Sequence, residues 1–347
     1  MPIETQSGHE IRLKSRPAGL PTSEHFELIA VQIPSPNATQ VLVRNLFFVI
    51  SPSLRQMISE GARNIPGVPF PAFSPGDALM GQAIAEVDSA PEGSGLKPGD
   101  LVQHPYGWRD YALVPIAQCL RIGKPFADPV GVLAYLGHGW TAYAALTRGV
   151  QIARGDTVFV SSAAGAIGSM AGQIARLLGA RRVIGSTSTQ EKANRLITEL
   201  GYDAAIIRET QESLTSQLRQ AAPNGIDVML DSVGGEQLRA ATEVANEGGR
   251  ILVIGTLSGQ LAPSGNGRVA PVQLDSKQIL LKKLMIRGYS ADHDPKAMQA
   301  WRSQFSTWLE AGQIQFPFSI VKGLASAPGA LQEATKGSYL GAVFVQP

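Results

Sequence analysis

Apolar and polar positions follow two different periods along this chain, and the change between them falls near Asp128. Before it, apolar residues come in short runs cut by turn clusters. Glu27–Ile33 and Gln40–Phe48 are separated by Pro34-Ser35-Pro36-Asn37; Ala78–Val87, Leu101–Gln103 and Asp110–Val114 follow, and only Ser53–Glu60 reads as a short helix. Short strands, many turns and few helices predict a β-rich, barrel-like unit. After Asp128 the pattern lengthens. Val130–Leu146 is helix-compatible, though Gly137 and Gly139 punctuate it. Thr157–Ser162 reads as a buried strand, Ala163–Gly168 as a turn of small residues, Met170–Leu178 as a helix with an apolar face, and Arg182–Ser186 as a second strand. Ala204–Ile207, Asp227–Asp231, Ile251–Gly255 and Leu284–Gly288 continue as strands, with helical segments at Gln211–Ala221 and Gly235–Ala245. Strands alternating with helices predict a parallel, doubly wound sheet. Residues 258–276 are polar and rich in Gly and Pro, the mark of a site lid or a mobile loop. Lys296–Ala311 reads as a helix whose Met298, Trp301, Phe305, Trp308 and Leu309 are core, and Ala342–Val345 as a strand returning to the first unit.

Composition narrows the function classes. A chain of 347 residues, 44% of them apolar, suits two domains rather than one core. The net charge of +2 is carried by scattered basic residues, so neither a nucleic-acid stripe nor a polybasic membrane patch is expected. No apolar run reaches membrane-spanning length, and the first residues carry no secretory h-region, so the expected location is cytoplasmic. The single cysteine, Cys119, rules out an internal disulfide and any multi-cysteine zinc site.

The candidate chemistry starts at Ala163–Gly168. Ala-x-Gly-x-x-Gly between a strand and a helix is a dinucleotide-binding turn, because a pyrophosphate packs against backbone N–H groups at the helix N-terminus and side chains at Gly165 or Gly168 would hold it away. A ligand-free packing turn is the alternative. NAD enzymes place an acid at the end of the second strand for the ribose 2′-hydroxyl. Here Gly185-Ser186-Thr187-Ser188-Thr189 has none, and Lys192 follows, which favours NADP. The same hydroxyls also fit an N-cap for the next helix, with Glu191 completing it.

These features occur among others in a fixed order: Val43-Arg44-Asn45-Leu46, Gly99-Asp100-Leu101-Val102, Gly107-Trp108-Arg109-Asp110-Tyr111-Ala112, Thr141-Ala142-Tyr143, Leu200-Gly201-Tyr202-Asp203, Asp231-Ser232-Val233-Gly234-Gly235, Gly249-Arg250-Ile251 and Ile286-Arg287-Gly288-Tyr289. In this the chain resembles the zinc-free medium-chain dehydrogenases/reductases, in the branch of prostaglandin reductases and alkenal double-bond reductases. The resemblance implies an α/β protein. A GroES-like catalytic domain would comprise residues 1–128 and 293–347, and a Rossmann domain residues 129–292. It implies a homodimer and NADPH-dependent reduction of a C=C bond conjugated to a ketone or aldehyde, without zinc. NADP(H) would lie against Ala164, Gly165, Ala166, Ile167, Gly168, Ser186, Thr187, Lys192, Arg208, Val233, Gly255, Thr141 and Ser338.

Departures from the branch centre on the substrate side. The Asp-Pro-Tyr-Met-Arg of the family is Ser51-Pro52-Ser53-Leu54-Arg55 here, its Asn-Tyr-Lys is Ile207-Arg208-Glu209, and its substrate-loop tyrosine falls near Gln260. Arg208 reads either as a 2′-phosphate partner or as a solvated charge. With those tyrosines gone, Tyr289, Ser53 and Gln260 are the expected catalytic-side residues, and the proton donor is open among Tyr289, His293, His138, Tyr135, Tyr106 and solvent. Trp140 either narrows the pocket or packs in the core. Ser338 replaces an asparagine usual in the family. His9-Glu10 imitates a zinc-enzyme motif, too early in the chain, and reads as a chance match in a surface N-terminus. A quinone oxidoreductase and a non-catalytic NADPH-binding protein are the rival readings.

Overall fold

In the computed structural model, residues 6–62, 71–122, 129–264, 266–291 and 294–347 are described. The N-terminal part contains β1 (Gln6–Leu13), β2 (Phe26–Ile33), β3 (Gln40–Ile50), α1 (Leu54–Ile58), β4 (Ala83–Ser89), β5 (Leu101–His104), β6 (Tyr111–Pro115) and β7 (Leu120–Arg121). Helices α2 (Pro129–Ala134) and α3 (Gly139–Ala144) then lead into β8 (Thr157–Val160), α4 (Gly168–Leu177), β9 (Arg182–Thr187), α5 (Gln190–Leu200), β10 (Ala204–Ile207), α6 (Leu214–Ala221), β11 (Ile226–Asp231), α7 (Gly235–Val244), β12 (Ala245–Val253), α8 (Leu257–Gln260), α9 (Ser276–Leu281) and β13 (Met285–Gly288). The chain closes with α10 (Pro295–Glu310), β14 (Phe318–Lys322), α11 (Ala327–Lys336) and β15 (Ala342–Gln346).

Six parallel strands form one sheet in the order β10-β9-β8-β11-β12-β13. Its order reverses between β8 and β11. In doubly wound sheets the carboxyl ends of the strands at that reversal are where ligands bind. The second sheet, β14-β15-β3-β4-β5-β7 with β6 also paired to β3, joins strands from both chain ends: β15 lies antiparallel to β3, with Phe344 opposite Val49. The expected returning strand is β15. Its partner β14 and the helix α11 were not legible beforehand.

Two sequence expectations need correction. His9-Glu10 belongs to β1, which pairs with β2 over its full length. Glu10 is buried and paired with Arg12 and Arg109, and His9 binds Asp110. QSGHEIRL is a strand with Ser7 and His9 on its exposed side and Glu10 buried in ion pairs. The long helix expected over Val130–Leu146 breaks into α2 and α3, and α3 runs on into a π-helical turn at Ala145–Gly149 closed by Val150 N to Ala145 O. Its glycines explain the break: a Cβ on Gly137 would meet the Phe316 ring at 2.5 Å, and one on Gly139 would meet Trp301. Those aromatics belong to a cluster in which Trp301, Phe305 and Trp308 of α10 pack with Tyr143 and Phe316 against α3. Each such buried aromatic contributes about 1.5–3 kcal/mol, so backbone close approach at the two glycines outweighs helix continuity.

Candidate functional site

The turn after β8 is laced from below. Ser161 Oγ donates to Asp231 Oδ1 at 2.8 Å and accepts the Ser232 amide at 2.7 Å. Asp231, fully buried, also receives the amides of Val233 and Gly234. Burial raises its pKa, and these three donors oppose that shift. The result ties the carboxyl ends of β8 and β11 together, places Val233 beside the turn, and seats Gly255 against the Ser232 backbone, which a Cβ would meet at 2.9 Å. Ser186, also fully buried, works in the same way. It accepts the Ser162 amide at 3.0 Å and donates to Gln237, while its carbonyl takes the Ala163 amide. Ser186 is therefore a prop under the turn.

Above this floor run Ala164, Gly165, Ala166, Ile167 and Gly168. The two glycines have different reasons. Gly168 lies so close to the Ser162 carbonyl and the Ala163 backbone that a Cβ would sit 2.6 Å from Ala163 Cα. Its constraint is packing of the turn on itself, a refinement of the expectation that a side chain there would block phosphate. Gly165 has looser surroundings, with the Ser162 hydroxyl at 3.1 Å from a Cβ position, and it leaves the surface of the turn bare. The Ser169 and Ala171 amides close back on Gly165 O and Ile167 O, both at 2.9 Å, so the amides that precede these rungs, those of Ala166, Ile167 and Gly168, are the ones a phosphate would meet. The C-terminal segment crosses this turn: Gly341 N donates to Ala164 O at 2.9 Å.

At the end of β9 the charges gather. Thr187 is buried, its hydroxyl lacks a partner, and its carbonyl accepts the Arg208 amide at 2.9 Å. Arg208 Nε also lacks one. Lys192 is only 9% exposed, and its ammonium donates to the Gly337 carbonyl. Burial holds the Lys192 pKa down; Glu191 opposes this, and nearby Arg208 and Arg195 push the same way as burial. A buried ammonium beside a guanidinium, with an unpartnered hydroxyl between the two segments, fits a phosphate monoester. Thr189 meanwhile caps α5, accepting the Lys192 amide at 3.3 Å, so the capping reading and the charge reading hold together. Ser338 is exposed and its hydroxyl goes to Glu333 at 2.7 Å; it is the neighbouring Gly337 that reaches this corner.

The other wall is built by two groups. Ser53 opens α1, its hydroxyl paired with that of Ser51 at 2.7 Å. One residue into that helix, the fully buried Arg55 donates to the Gln260 carbonyl, and Gln56 donates to Gly267 O at 3.1 Å. Arg268 reaches Gly61 O, and Gly19 bridges Ser264. The stretch after α8, expected as a lid or mobile loop, is thus fastened to α1, and Gln260 is held by Arg55, two residues after Ser53. Tyr289 extends β13 past its end, its amide donating to Val253 O at 3.0 Å, and packs with Trp140 against Ala144, Ala291 and Ala297. Its hydroxyl lies 3.5 Å from Asp294, which also pairs with Arg148. Burial and Asp294 raise its pKa. Thr141 is in the first turn of α3, half-buried, next to Trp140. His138 precedes that helix, Tyr135 lies under Arg302, and Tyr106 stacks on His104. His293 lies outside the described residues.

Sequence reasoning passed over Arg55, Gln237, Gly337 and Tyr202, whose hydroxyl donates to Gly168 O at 2.6 Å. Arg55 and Tyr202 stood inside motifs already singled out, and Gly337 stood beside Ser338 in the family's terminal Gly-Asn-x-x-Gly. Among the described residues no three His, Cys, Asp or Glu side chains stand together as a metal site, and no helix is long and apolar enough to cross a membrane.

Known proteins give this geometry its family. The description "Zinc-binding dehydrogenase" matches residues 166–306, and "N-terminal domain of oxidoreductase" matches residues 9–122. A putative NADP-dependent oxidoreductase of Bacillus subtilis is 33% identical over 99% of this chain and 98% of its own. An NADP(+)-dependent 2-alkenal reductase of Nicotiana tabacum is 30% identical over 97% of this chain and 97% of its own. The crystal structure of CurA from Vibrio vulnificus in complex with NADPH superposes with a TM-score of 0.85 at 29% identity, covering 97% of this chain and 98% of that one. With its GroES-like and Rossmann units, the chain belongs to the medium-chain dehydrogenase/reductase family, in the branch of prostaglandin and alkenal reductases, and is an NADP-dependent oxidoreductase.

Proposed function

We propose that this protein reduces the C=C bond of α,β-unsaturated ketones or aldehydes with NADPH. The observation that carries the reading is a bare phosphate turn beside the Lys192–Arg208 cation pair, in a chain whose full-length relatives include a 2-alkenal reductase. When bound, NADPH supplies the hydride that adds to the β-carbon of the substrate. Ala164–Gly168 hold the pyrophosphate with backbone amides, and Lys192, Arg208 and Thr187 hold the 2′-phosphate. Val233, Gly255 and Thr141 line the path between the turn and the substrate wall. Ser186 keeps the turn in place, and Ser338 acts through Gly337.

On the substrate wall, Ser53 and Gln260 shape the pocket, held together by Arg55. The charge that develops on the substrate oxygen needs a donor. Burial and Asp294 both raise the Tyr289 pKa, so the phenol keeps its proton; its hydroxyl turns that proton from Asp294, 3.5 Å away, to the substrate oxygen, and the reading assigns the α-carbon proton to water. One cysteine cannot make a multi-cysteine zinc site, which supports a reaction without zinc. The pairing of β15 with β3 supports the division into residues 1–128 with 293–347 and residues 129–292. We extend the reading to a cytoplasmic homodimer joined at β13, the edge of the parallel sheet, where Leu280, Leu281 and Met285 are exposed. A monomer in sedimentation would remove the dimer.

The test is consumption of NADPH and of NADH against 2-alkenals, a cyclic enone, an aryl enone and a quinone. Alkenals or enones should turn over with NADPH preferred. Turnover of the quinone alone would make the protein a quinone reductase, and tight NADPH binding with no turnover at all would make it a binding protein.

A further inference from the structure

Tyr202 follows α5 and is fully buried. Gly201 ends that helix at a φ of 69°, and the Tyr202 amide returns to Leu196 O. From there the ring passes under α4. It fits because two positions on facing elements lack side chains. A Cβ on Gly172 of α4 would sit 2.5 Å from the Tyr202 hydroxyl oxygen, and one on Gly185 of β9 would sit 2.9 Å from its ring. Three separated positions thus build one slot, and its closed end is the first turn of the helix that follows the phosphate turn.

In that slot the hydroxyl donates to Gly168 O at 2.6 Å and meets the Gly172 amide. Those two groups stand at the i and i+4 positions of one rung in the first turn of α4. A side chain inserted at a rung fixes the direction of the local peptide planes, and a carbonyl that accepts a strong donor polarises the hydrogen-bonded chain it belongs to. The peptide plane that ends in Gly168 O carries the Ser169 amide, which donates to Gly165 O at 2.9 Å, and the plane of Gly165 O in turn carries the Ala166 amide of the turn, so the hydroxyl is linked through two hydrogen bonds to the stretch that precedes α4. Burial raises the phenol pKa, so the group stays a donor at all working pH values.

We infer that Tyr202 is a positioning residue for cofactor pyrophosphate, setting from behind, through Gly168, Ser169 and Gly165, the turn that precedes α4 without touching the ligand. The inference rests on the reading that NADP(H) occupies this turn. It separates two parts of the site: Tyr202 serves the pyrophosphate, which NADPH and NADH share, and Lys192 with Arg208 serve the 2′-phosphate, which only NADPH has.

The test is Tyr202→Phe, which keeps the ring and removes the hydroxyl. Loss of one such hydrogen bond corresponds to roughly 3–10-fold in affinity. NADPH and NADH should both weaken by that factor, leaving their ratio unchanged. Adenosine 2′-monophosphate, which carries the 2′-phosphate but no pyrophosphate, should bind as to the parent, and kcat at saturating NADPH should hold. If the variant melts at a lower temperature while NADPH binds unchanged, or if adenosine 2′-monophosphate weakens as much as NADPH, Tyr202 is only a packing residue and the inference falls. The underlying reading fails separately: Gly165→Val with unchanged NADPH affinity would take the cofactor out of this turn whatever Tyr202 does.

Discussion

At the carboxyl rim of the parallel sheet, buried polar side chains are short and cooperate on one turn: Ser161, Ser186 and Asp231 pair with one another or with the backbone above them. The mixed sheet and its β1–β2 hairpin bury long, charged or aromatic groups instead. Arg109 donates to Leu79 O and pairs with Glu10, while His104 uses one ring nitrogen to accept the Tyr106 amide at 3.0 Å and has no partner for the other. The first arrangement gathers Lys192, Arg208 and the turn amides at one rim. The second consumes its donors internally. Binding strength should therefore be concentrated on the rim, and pH-sensitive stability in the mixed sheet.

The sharpest break of this contrast is Gly165→Val. A branched side chain on the bare face of the turn should weaken NADPH more than ~100-fold, the loss of several charge-assisted contacts, while the fold survives. Calorimetric titration checks it. Lys192→Ala comes next. Removing one charged partner should cost NADPH about 10–100-fold and NADH less than about 3-fold. Equal losses in a cofactor titration would show that the corner does not read the 2′-phosphate.

The smallest effect tests the other region. Burial, and then Arg109, lower the His104 pKa to about 3, so the folded protein keeps this ring neutral where the unfolded chain protonates it near its ordinary value of 6.5. Between those two values the unfolded state binds the extra proton. The contribution is therefore fully present above the unfolded pKa and is lost as pH falls toward the folded one, at up to roughly 1.4 kcal/mol per pH unit. Urea unfolding between pH 7 and pH 4 (about three units of that slope at most) should show the decline. His104→Gln, which does not titrate, should flatten it, and an unchanged slope in that variant would refute the assignment.

What could be read beforehand divides along the same line. The strands of the parallel sheet, its turn and Lys192 lie in contiguous stretches where a single period or motif carries the information. The slot of Tyr202 needs Gly172 and Gly185, and no local pattern links a tyrosine after one helix to glycines in another helix and a strand. β1 escaped because Glu10 and Arg12, paired in the fold, make a half-buried strand look like a surface tail. The break between α2 and α3 was signalled by Gly137 and Gly139, but its cause, Phe316 and Trp301, lies far along the chain. Arg55 stood in a quoted motif, yet its link to Gln260 appears only once α1 and the segment after α8 are side by side.

The antiparallel pairing of β15 with β3 has a consequence for biosynthesis. The whole parallel-sheet unit is encoded between these two neighbours, so during translation β3 waits with one flank open while that unit emerges and folds. The same late segment brings Gly341 to Ala164 and Gly337 to Lys192. The nucleotide corner is therefore finished by the same event that closes the mixed sheet, and a ribosome-bound chain that has not yet made residues 337–346 holds neither.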